Sequence, residues 1–223
     1  MTSQVKRAYH SPRRTASAQA TRQRILLAAR TLFAARGYSG TTLETVAAEA
    51  GVAIQTVRQV FGGKSGLMRA QLDVIDQIGG IAELRAVLDD PVATPSQMSA
   101  ALARFLRRLY EGAADVIEAA RNAGGTDPEL RALLEGGLQR HRSGVAGLTA
   151  QWGRAGALRR GLTAPEAAAI VASVASHEVY RTLRLDWRWS TRRYEKWLAE
   201  AVERLVLDHS VWSKAGVREG DTG

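Results

Sequence analysis

The sequence predicts an all-α protein, in which a small basic domain of three helices is joined to a larger C-terminal helical bundle. Apolar residues recur at three- and four-residue intervals through most of the chain, and no segment alternates like a β-strand. The hydrophobic content of 45% is enough for a sizeable core. The absence of cysteine excludes disulfides and thiolate metal sites.

The positive charge is concentrated at one end of the chain. The 223 residues carry a net charge of +9, from 31 basic and 22 acidic side chains. Residues 1–72 hold eleven of the basic and two of the acidic residues, so the rest of the chain is neutral. Concentrated charge indicates a polyanionic partner. Nucleic acid is the leading candidate and an anionic membrane surface the second, while a merely solvated basic face stays open as a third interpretation.

The two ends of the chain predict segments without a fixed structure. Residues 1–16 are polar and basic, and we expect a flexible arm there; residues 212–223 predict a flexible tail. The N-terminus lacks the apolar stretch of a secretory signal, and no apolar run reaches the roughly 18 residues of a membrane-spanning helix. We therefore expect a cytoplasmic protein without a membrane partner.

Residues 17–63 predict three short helices. Apolar residues between 25 and 34 have helical spacing, and Gly37 is a stop signal. Thr41 and Glu44 have the spacing of a capping box, which predicts that a second helix begins there. A third helix is expected over residues 53–60.

The second and third helices have the pattern of a helix-turn-helix. Ala47 and Gly51 are small enough for two helices to cross closely, and Val57 can fill the space between them. In such motifs the second helix enters the major groove of DNA. Many helical bundles with no DNA-binding function also contain two helices joined by such a turn. The third helix favours DNA because it contains no acidic residue and lies in the basic third of the chain.

Residues 64–211 predict a second and larger domain, a helical bundle that is nearly neutral overall. Its first helix is expected to run from Lys64 to the glycine pair at 79–80, and the others over 82–89, 96–122, 128–156, 164–184 and 191–208. Two helices have a proline in the first turn, and the candidate N-caps before these prolines are Thr126 or Asp127 and Thr163.

Over Thr21–Leu67 the chain reads TRQRILLAARTLFAARGYSGTTLETVAAEAGVAIQTVRQVFGGKSGL and resembles the TetR family of transcriptional repressors. The features in common are an Ala-Ala pair before Leu-Phe and Gly-Tyr, a Thr-Thr pair, an Ala-Gly-Val turn, and a Phe followed by Lys. Residues 158–206 also resemble the C-terminal part of many members. The resemblance implies a homodimer that binds a palindromic operator in double-stranded DNA and is released when a small-molecule effector binds its regulatory domain.

The candidate base-reading residues lie on the third helix. Gln55, Thr56, Arg58 and Gln59 are expected to face the major groove, where Gln and Arg form bidentate hydrogen bonds with bases and the Thr methyl suits thymine. Arg58 stands where the family usually has Tyr, and Val60 replaces a common aromatic or His. The family's operator preferences therefore transfer poorly, and Arg58 is where we expect the DNA preference of this protein to differ.

Further residues are candidates for contact with the DNA backbone. Lys64 and Ser65 match the family's phosphate-contact position, where a helix N-terminus also favours an anion. Thr42, at the start of the second helix, and Tyr38 are expected to act likewise. The basic arm could reach the minor groove or attract DNA without specificity. For each of these side chains the alternative is simple solvation.

The resemblance also implies an effector pocket among the middle helices, lined by large apolar or amphipathic side chains. Ordinary core packing is the alternative for every candidate. The candidates are Phe105, Leu109, Tyr110, His141, Trp152, His177 and Tyr180. For the dimer interface, the last two long helices offer small residues between Ala168 and Ala175 and larger ones at Trp197, Val202 and Leu205.

Enzymatic activity finds no support in the sequence. There is no nucleophile elbow, phosphate-binding loop, metal-ligand spacing or pair of carboxylates beside a base. We expect no catalytic residue, cofactor or metal site. The remaining rivals are a nucleoid-type DNA binder without an effector, which would lack sequence preference, and a membrane-surface protein, which needs a basic amphipathic helix with an unburied apolar face.

Overall fold

Helices make up most of the residues that the structure describes. The computed structural model describes residues 12–125 and 127–208, and within them it contains no β-strand, just an antiparallel bridge between Leu158 and Leu207. The all-α prediction is confirmed. None of the helices in these two ranges is long and apolar enough to cross a membrane. The predicted tail and the first eleven residues of the predicted arm lie outside the described ranges.

The helices follow one another in a simple order. In chain order they are α1 (Pro12–Arg36), α2 (Leu43–Ala50), α3 (Ile54–Phe61), α4 (Lys64–Leu72), α5 (Ile75–Gly79), α6 (Ile81–Leu88), α7 (Pro95–Gly124), α8 (Pro128–Arg154), α9 (Ala164–Val174), α10 (His177–Arg181) and α11 (Thr191–Val206). A π-helical turn, Thr182–Asp186, follows α10.

Two boundaries near the N-terminus differ from the prediction. Helix α1 begins at Pro12, so its first residues belong to the segment expected to be a flexible arm. The N-cap of α2 is Thr42, paired with Thr45, and the predicted pair of Thr41 and Glu44 is wrong. Thr41 cannot act as the cap because it is 1% exposed and its hydroxyl donates to the Gly37 carbonyl oxygen at 2.9 Å.

Two long helices of the prediction are interrupted. The helix expected from Lys64 to the glycine pair is broken at residues 73–74, which no glycine or proline marks. The helix expected over 164–184 ends at Val174, because the Ser176 hydroxyl accepts from the Val179 amide and caps a new helix. The predicted caps at Asp127 and Thr163 are confirmed, since their side chains accept from first-turn amides of α8 and α9. Thr126, the alternative to Asp127, lies outside the described residues.

The chain forms two compact units. Among the described residues, the first consists of 12–73 together with 115–125 and 127–131, and the second of 74–114 together with 132–208. The end of α7 and the first turn of α8 thus belong to the same unit as α1–α4. The functional division into residues 17–63 and 64–211 remains a prediction.

Within the second unit, α5 packs tightly on α7. A Cβ atom added at Gly79 would lie 2.6 Å from Cε2 of Phe105, so any larger residue would force the Phe105 ring to shift. Helices α9 and α11 also pack together. Three of the residues expected at a dimer interface, Val171, Ala175 and Val202, are fully buried within this one chain. They are core residues, and their assignment to a dimer surface was wrong.

Candidate nucleic-acid interface

The turn between α2 and α3 is a tight left-handed one. Gly51 has a φ of 64°, in the region that favours glycine. Its amide donates to the carbonyl oxygen of Ala48 at 3.2 Å, and the Val52 amide donates to that of Ala47 at 3.0 Å. These bonds pair the last carbonyl oxygens of α2, and α3 begins a few residues later.

The inner face of α3 holds it in place. Val57 is completely buried and Phe61 nearly so, while Ile54 is half-buried. Helix α3 packs against α2, on which Val46 and Ala47 are buried. The apolar half of α3 is therefore used for packing, as the sequence predicts, and the orientation of its other half is fixed.

The outer face of α3 presents polar side chains to solvent. Gln55, Arg58 and Gln59 are exposed and, at i, i+3 and i+4, lie on one side of the helix. Thr56 is half-buried beside them. All three exposed residues can form the bidentate contacts that distinguish bases in the major groove.

Glu44, predicted to cap α2 together with Thr41, instead lies near Arg58. Its carboxylate accepts from its own backbone amide and from Thr42, and the nearby positive charge of Arg58 adds to these effects, so the pKa of Glu44 lies below its usual value. Glu44 is exposed in the first turn of α2. It thus places a negative charge near Arg58, and the acid-free sequence of α3 alone could not reveal this.

Thr42, a backbone-contact candidate, serves within the protein as the cap of α2. Its hydroxyl accepts from the Thr45 amide at 3.2 Å, and its own amide donates to Oγ1 of Thr45 at the same distance. The side chain remains exposed. Thr42 therefore lies at an accessible helix N-terminus, where a phosphate would be favoured.

Tyr38 and Lys64 are held by protein contacts. The Tyr38 hydroxyl donates to Oδ2 of Asp127 at 2.9 Å, and burial together with this hydrogen bond raises the pKa of Tyr38. The Lys64 ammonium donates to the carbonyl oxygens of Tyr38 at 2.8 Å and Thr41 at 3.1 Å, and it lies 4.4 Å from the centre of the Tyr38 ring. Both side chains stabilise the loop that leads into α2. If either also contacts a phosphate of DNA, it does so in addition to these contacts within the protein.

Asp127 connects this loop to the first turn of α8. Its carboxylate accepts from the Leu130 amide and from Tyr38, which lowers the pKa of Asp127. In the same unit, Arg30 of α1 donates two hydrogen bonds of 2.8 Å to the carboxylate of Asp115 on α7. These side chains explain why residues 115–131 belong to the first unit, and their long sequence separations left no local signal.

Ser65 lies at the uncapped N-terminus of α4, where Gly63 makes no side-chain hydrogen bond. It borders an open cleft of about 650 Å³ that also includes Arg22 and Arg69. Arg22 stacks over the Phe61 ring at 4.7 Å, and Arg69 pairs with Glu129. Positive charge at this cleft is thus partly compensated within the protein.

Three of the predicted effector-binding residues come together in the second unit. Tyr110 lies 5.5 Å from His177 and 5.1 Å from Tyr180 between ring centres, and all three are buried. Tyr194, which sequence reasoning missed, extends this cluster. Its spacing from other apolar residues of α11 is typical of the buried side of a helix. The neighbouring sequence does not indicate which aromatic rings Tyr194 contacts.

The other effector candidates are core or partly buried residues. Phe105 is half-buried against Gly79, and Leu109 is buried. Trp152 is 1% exposed, and its indole N–H finds no acceptor among the described residues. His141 is half-buried, and burial followed by the charge of Arg142 lowers its pKa. A ligand role for these four residues stays a prediction.

Comparisons with known proteins identify the N-terminal region. Residues 25–70 match the sequence model of the bacterial regulatory proteins of the tetR family. The match covers the end of α1, all of α2 and α3, and most of α4. No curated protein matches the chain in sequence.

Solved structures share the fold over most of the chain. A SmeT–triclosan complex is 21% identical with a TM-score of 0.73, covering 86% of this chain and 94% of that one. NalD of Pseudomonas aeruginosa, the secondary repressor of the MexAB-OprM multidrug efflux pump, is 22% identical with a TM-score of 0.70 over 86% and 98%. A transcriptional regulator from Saccharomonospora viridis in complex with choline is 18% identical with a TM-score of 0.69 over 86% and 100%. At these identities the likeness establishes the fold.

Proposed function

The chain belongs to the TetR family of bacterial regulatory proteins, and from this premise we propose that it is a homodimeric repressor that binds a palindromic operator and leaves it when a small molecule binds. One observation carries the DNA-binding part of the proposal. The outer face of α3 presents Gln55, Arg58 and Gln59 together, on a helix whose inner residues Val57 and Phe61 are buried.

Electrostatics support the assignment of α3 as the reading helix. The basic excess of the sequence lies in residues 1–72, the part that contains α1–α4. Contacts between basic side chains and phosphates supply most of the non-specific affinity for DNA and make it depend on salt. Lys64, Ser65, Thr42 and Tyr38 remain the proposed backbone contacts.

The homodimer follows from the geometry of operators. Two half-sites about 34 Å apart require two reading helices. Apolar side chains that stay accessible on α10, the π-helical turn and α11 offer a contact surface, with Val179, Leu183 and Trp197 lining an open cleft of about 220 Å³. Leu205 lies further along α11 and is 42% exposed. We call Val179, Leu183, Trp197 and Leu205 the α10–α11 face.

The response to a small molecule is proposed by analogy with proteins of the same fold. One such structure holds triclosan, another holds choline, and a third protein represses a multidrug efflux pump. In the present chain the buried cluster of Tyr110, His177 and Tyr180 is the proposed location of the ligand. The C-terminal part of the chain has no excess of basic residues for binding DNA, so it is available to bind the small molecule.

The proposal is tested with DNA from either side of the protein's own gene. Fluorescence anisotropy should show binding to a palindrome in that DNA with an affinity about 10³-fold or more above that for random DNA at the same salt concentration. Both affinities should weaken as salt rises. Equal affinity for both DNAs would instead identify a nucleoid-type binder without sequence preference.

A further inference from the structure

A short turn between α10 and α11 exposes two large apolar side chains. Trp187 is 70% exposed, and Leu185, two positions earlier, is 63% exposed. Aromatic rings dominate the energetics of protein interfaces, and apolar surface left open to water often marks an interaction site. Trp187 therefore leaves most of an indole side chain available to a partner.

The backbone of this turn is fixed by contacts within the chain. The Trp187 amide donates to the Thr182 carbonyl oxygen at 3.1 Å, at the end of the π-helical turn. The next tryptophan, Trp189, packs edge-on against Trp197 of α11, with ring centres 5.9 Å apart. Between Trp187 and Trp189, Arg188 has a φ of 51°, a costly conformation that persists only where surrounding contacts hold it. Trp187 is thus presented from a pre-formed turn.

A cleft close to Trp187 has room for a large side chain. It is open, has a volume of about 220 Å³, and its exposed surface is mostly apolar. The lining residues are Val179, Leu183 and Trp197 of the α10–α11 face, together with Glu178 and Thr182. Trp187 of the same chain is not among them, although Thr182 accepts its amide hydrogen bond. The exposed ring and the cleft therefore lie close together, and the ring does not fill the cleft.

Opposite charges accompany the ring and the cleft. Arg188 follows Trp187, is exposed, and forms no ion pair within the part of the chain that the structure describes. Glu178 is exposed at the cleft. A two-fold interface brings the same surface of both protomers together, so that each feature of one contacts the complementary feature of the other. A surface with a projecting ring beside a positive charge and a cleft beside a negative charge meets this requirement.

From these observations we infer that Trp187 of each protomer inserts into the cleft of the other, where Arg188 meets the partner's Glu178. The inference rests on the proposed homodimer and names the contact that assembles it. A tryptophan covers about 150–250 Å² when it is buried, and the exchange occurs twice. Two rings thus supply up to roughly 500 Å² of the total in a standard interface, which is about 1,600 Å². The pre-formed turn also reduces the conformational entropy lost on association.

Sedimentation of the variant Trp187→Ala tests the role of the ring. The dissociation constant of the dimer should rise at least about 100-fold, because each dimer loses two aromatic anchors. The single chain should still fold, since the side chain is mostly exposed. Val92→Ala is the matched control, because it shortens an apolar residue before α7 that is 81% exposed, and it should leave the dissociation constant unchanged. An unchanged dissociation constant for Trp187→Ala overturns the inference.

Cross-linking tests where the ring inserts. The chain contains no cysteine, so each introduced cysteine reports on one position. Trp187→Cys protein is mixed with Thr182→Cys protein and treated with a short bis-maleimide, which spans the length of an indole. A link between the two chains should form and be identified by the mass of the joined peptides. Val92→Cys mixed with Thr182→Cys is the control, and an equal yield from the two mixtures contradicts the inferred contact.

The outcomes separate this inference from the proposed function. A wild-type dimer that does not depend on Trp187 overturns the inference and leaves the proposed homodimer in place. A dimer that depends on Trp187 but prefers no DNA sequence supports the inference and counts against the proposed repressor. A wild type that is monomeric at micromolar concentration overturns both.

Wild-type protein decides the question if the variants do not fold. Its tryptophan emission should shift to shorter wavelength as the concentration is raised through the dissociation constant, because association buries the exposed Trp187 ring. Emission that stays the same while the protein dimerises overturns the inference.

Discussion

At the scale of single residues, the candidate DNA contacts fall into two kinds. Gln55, Arg58 and Gln59 extend from α3 into solvent. Tyr38 and Lys64 are instead engaged with Asp127 and with backbone carbonyls of the loop before α2. Substitutions of the first kind should change recognition, and those of the second kind should also change stability.

Arg58→Ala should weaken binding to the operator more than binding to random DNA. A bidentate contact with a base contributes about 1–3 kcal/mol of discrimination, so the ratio of the two affinities should fall roughly five- to 150-fold. Anisotropy with both DNAs at one salt concentration measures this ratio. Arg36→Ala, which removes an exposed arginine at the end of α1, is the control and should leave the ratio unchanged. Equal losses on both DNAs with Arg58→Ala would show that Arg58 contacts phosphate alone.

Lys64→Ala should reduce affinity for both DNAs to a similar extent and flatten the slope of log affinity against log salt by about one. Because the ammonium also bonds two carbonyl oxygens, we expect the free energy of unfolding to fall by about 1–3 kcal/mol. Salt titrations and urea denaturation measure the two effects. A loss of stability with an unchanged salt slope would leave Lys64 with the loop-bracing role and refute the phosphate contact.

At the scale of helices, the sequence predicts what local chemistry determines. The turn at Gly51 and the caps at Asp127 and Thr163 follow from residue types at short spacing, and the structure contains them. The choice between Thr41 and Thr42 as the cap depends on which hydroxyl is buried, and that is a tertiary property. The proximity of Tyr38 to Asp127 could not be predicted, since the residues are 89 positions apart.

Gly51→Ala should destabilise the helix-turn-helix because alanine resists a φ of 64°. A Cβ atom there would meet no other atom within 4 Å, so the backbone conformation is the sole penalty, about 1–2 kcal/mol. Gly63→Ala is the matched control, since Gly63 has extended backbone and equally open surroundings. Thermal unfolding should separate the two variants, and equal unfolding temperatures would contradict the argument.

The ion pair between α1 and α7 should make stability depend on acid pH. Partial burial alone would raise the pKa of Asp115, but the hydrogen bonds and charge of Arg30 outweigh it and hold that pKa below its usual value. A depressed folded-state pKa gives stability that is present above the unfolded pKa, about 3.9, and lost as pH falls through the folded pKa. Asp115→Asn should therefore destabilise the protein at pH 7 and weaken the loss of stability below about pH 4. Asp90→Asn is the control, and identical pH profiles of wild type and Asp115→Asn would exclude the ion pair as a cause.

At the scale of the whole molecule, the basic charge is concentrated in one part of the sequence. The basic excess lies in the third of the sequence that contains the helix-turn-helix, and the rest of the chain is neutral overall. This distribution of charge can be predicted because it is counted directly from the residues of the sequence. It could not predict which apolar residues of α9 and α11 would be covered, because packing within one chain buries Val171 and Val202 and leaves Leu205 exposed.

The α10–α11 face leads to a prediction about assembly. Wild-type protein should sediment as a dimer at micromolar concentration, as two reading helices on one palindrome require. Leu205→Glu places a charge at this face, where an interface would leave it buried and unpaired, so the variant should sediment as a monomer and lose operator affinity. Leu138→Glu introduces the same charge at a leucine of α8 that is 51% exposed and should remain dimeric. A monomeric wild type, or the same sedimentation for both variants, would contradict the assignment of the dimer interface to this face.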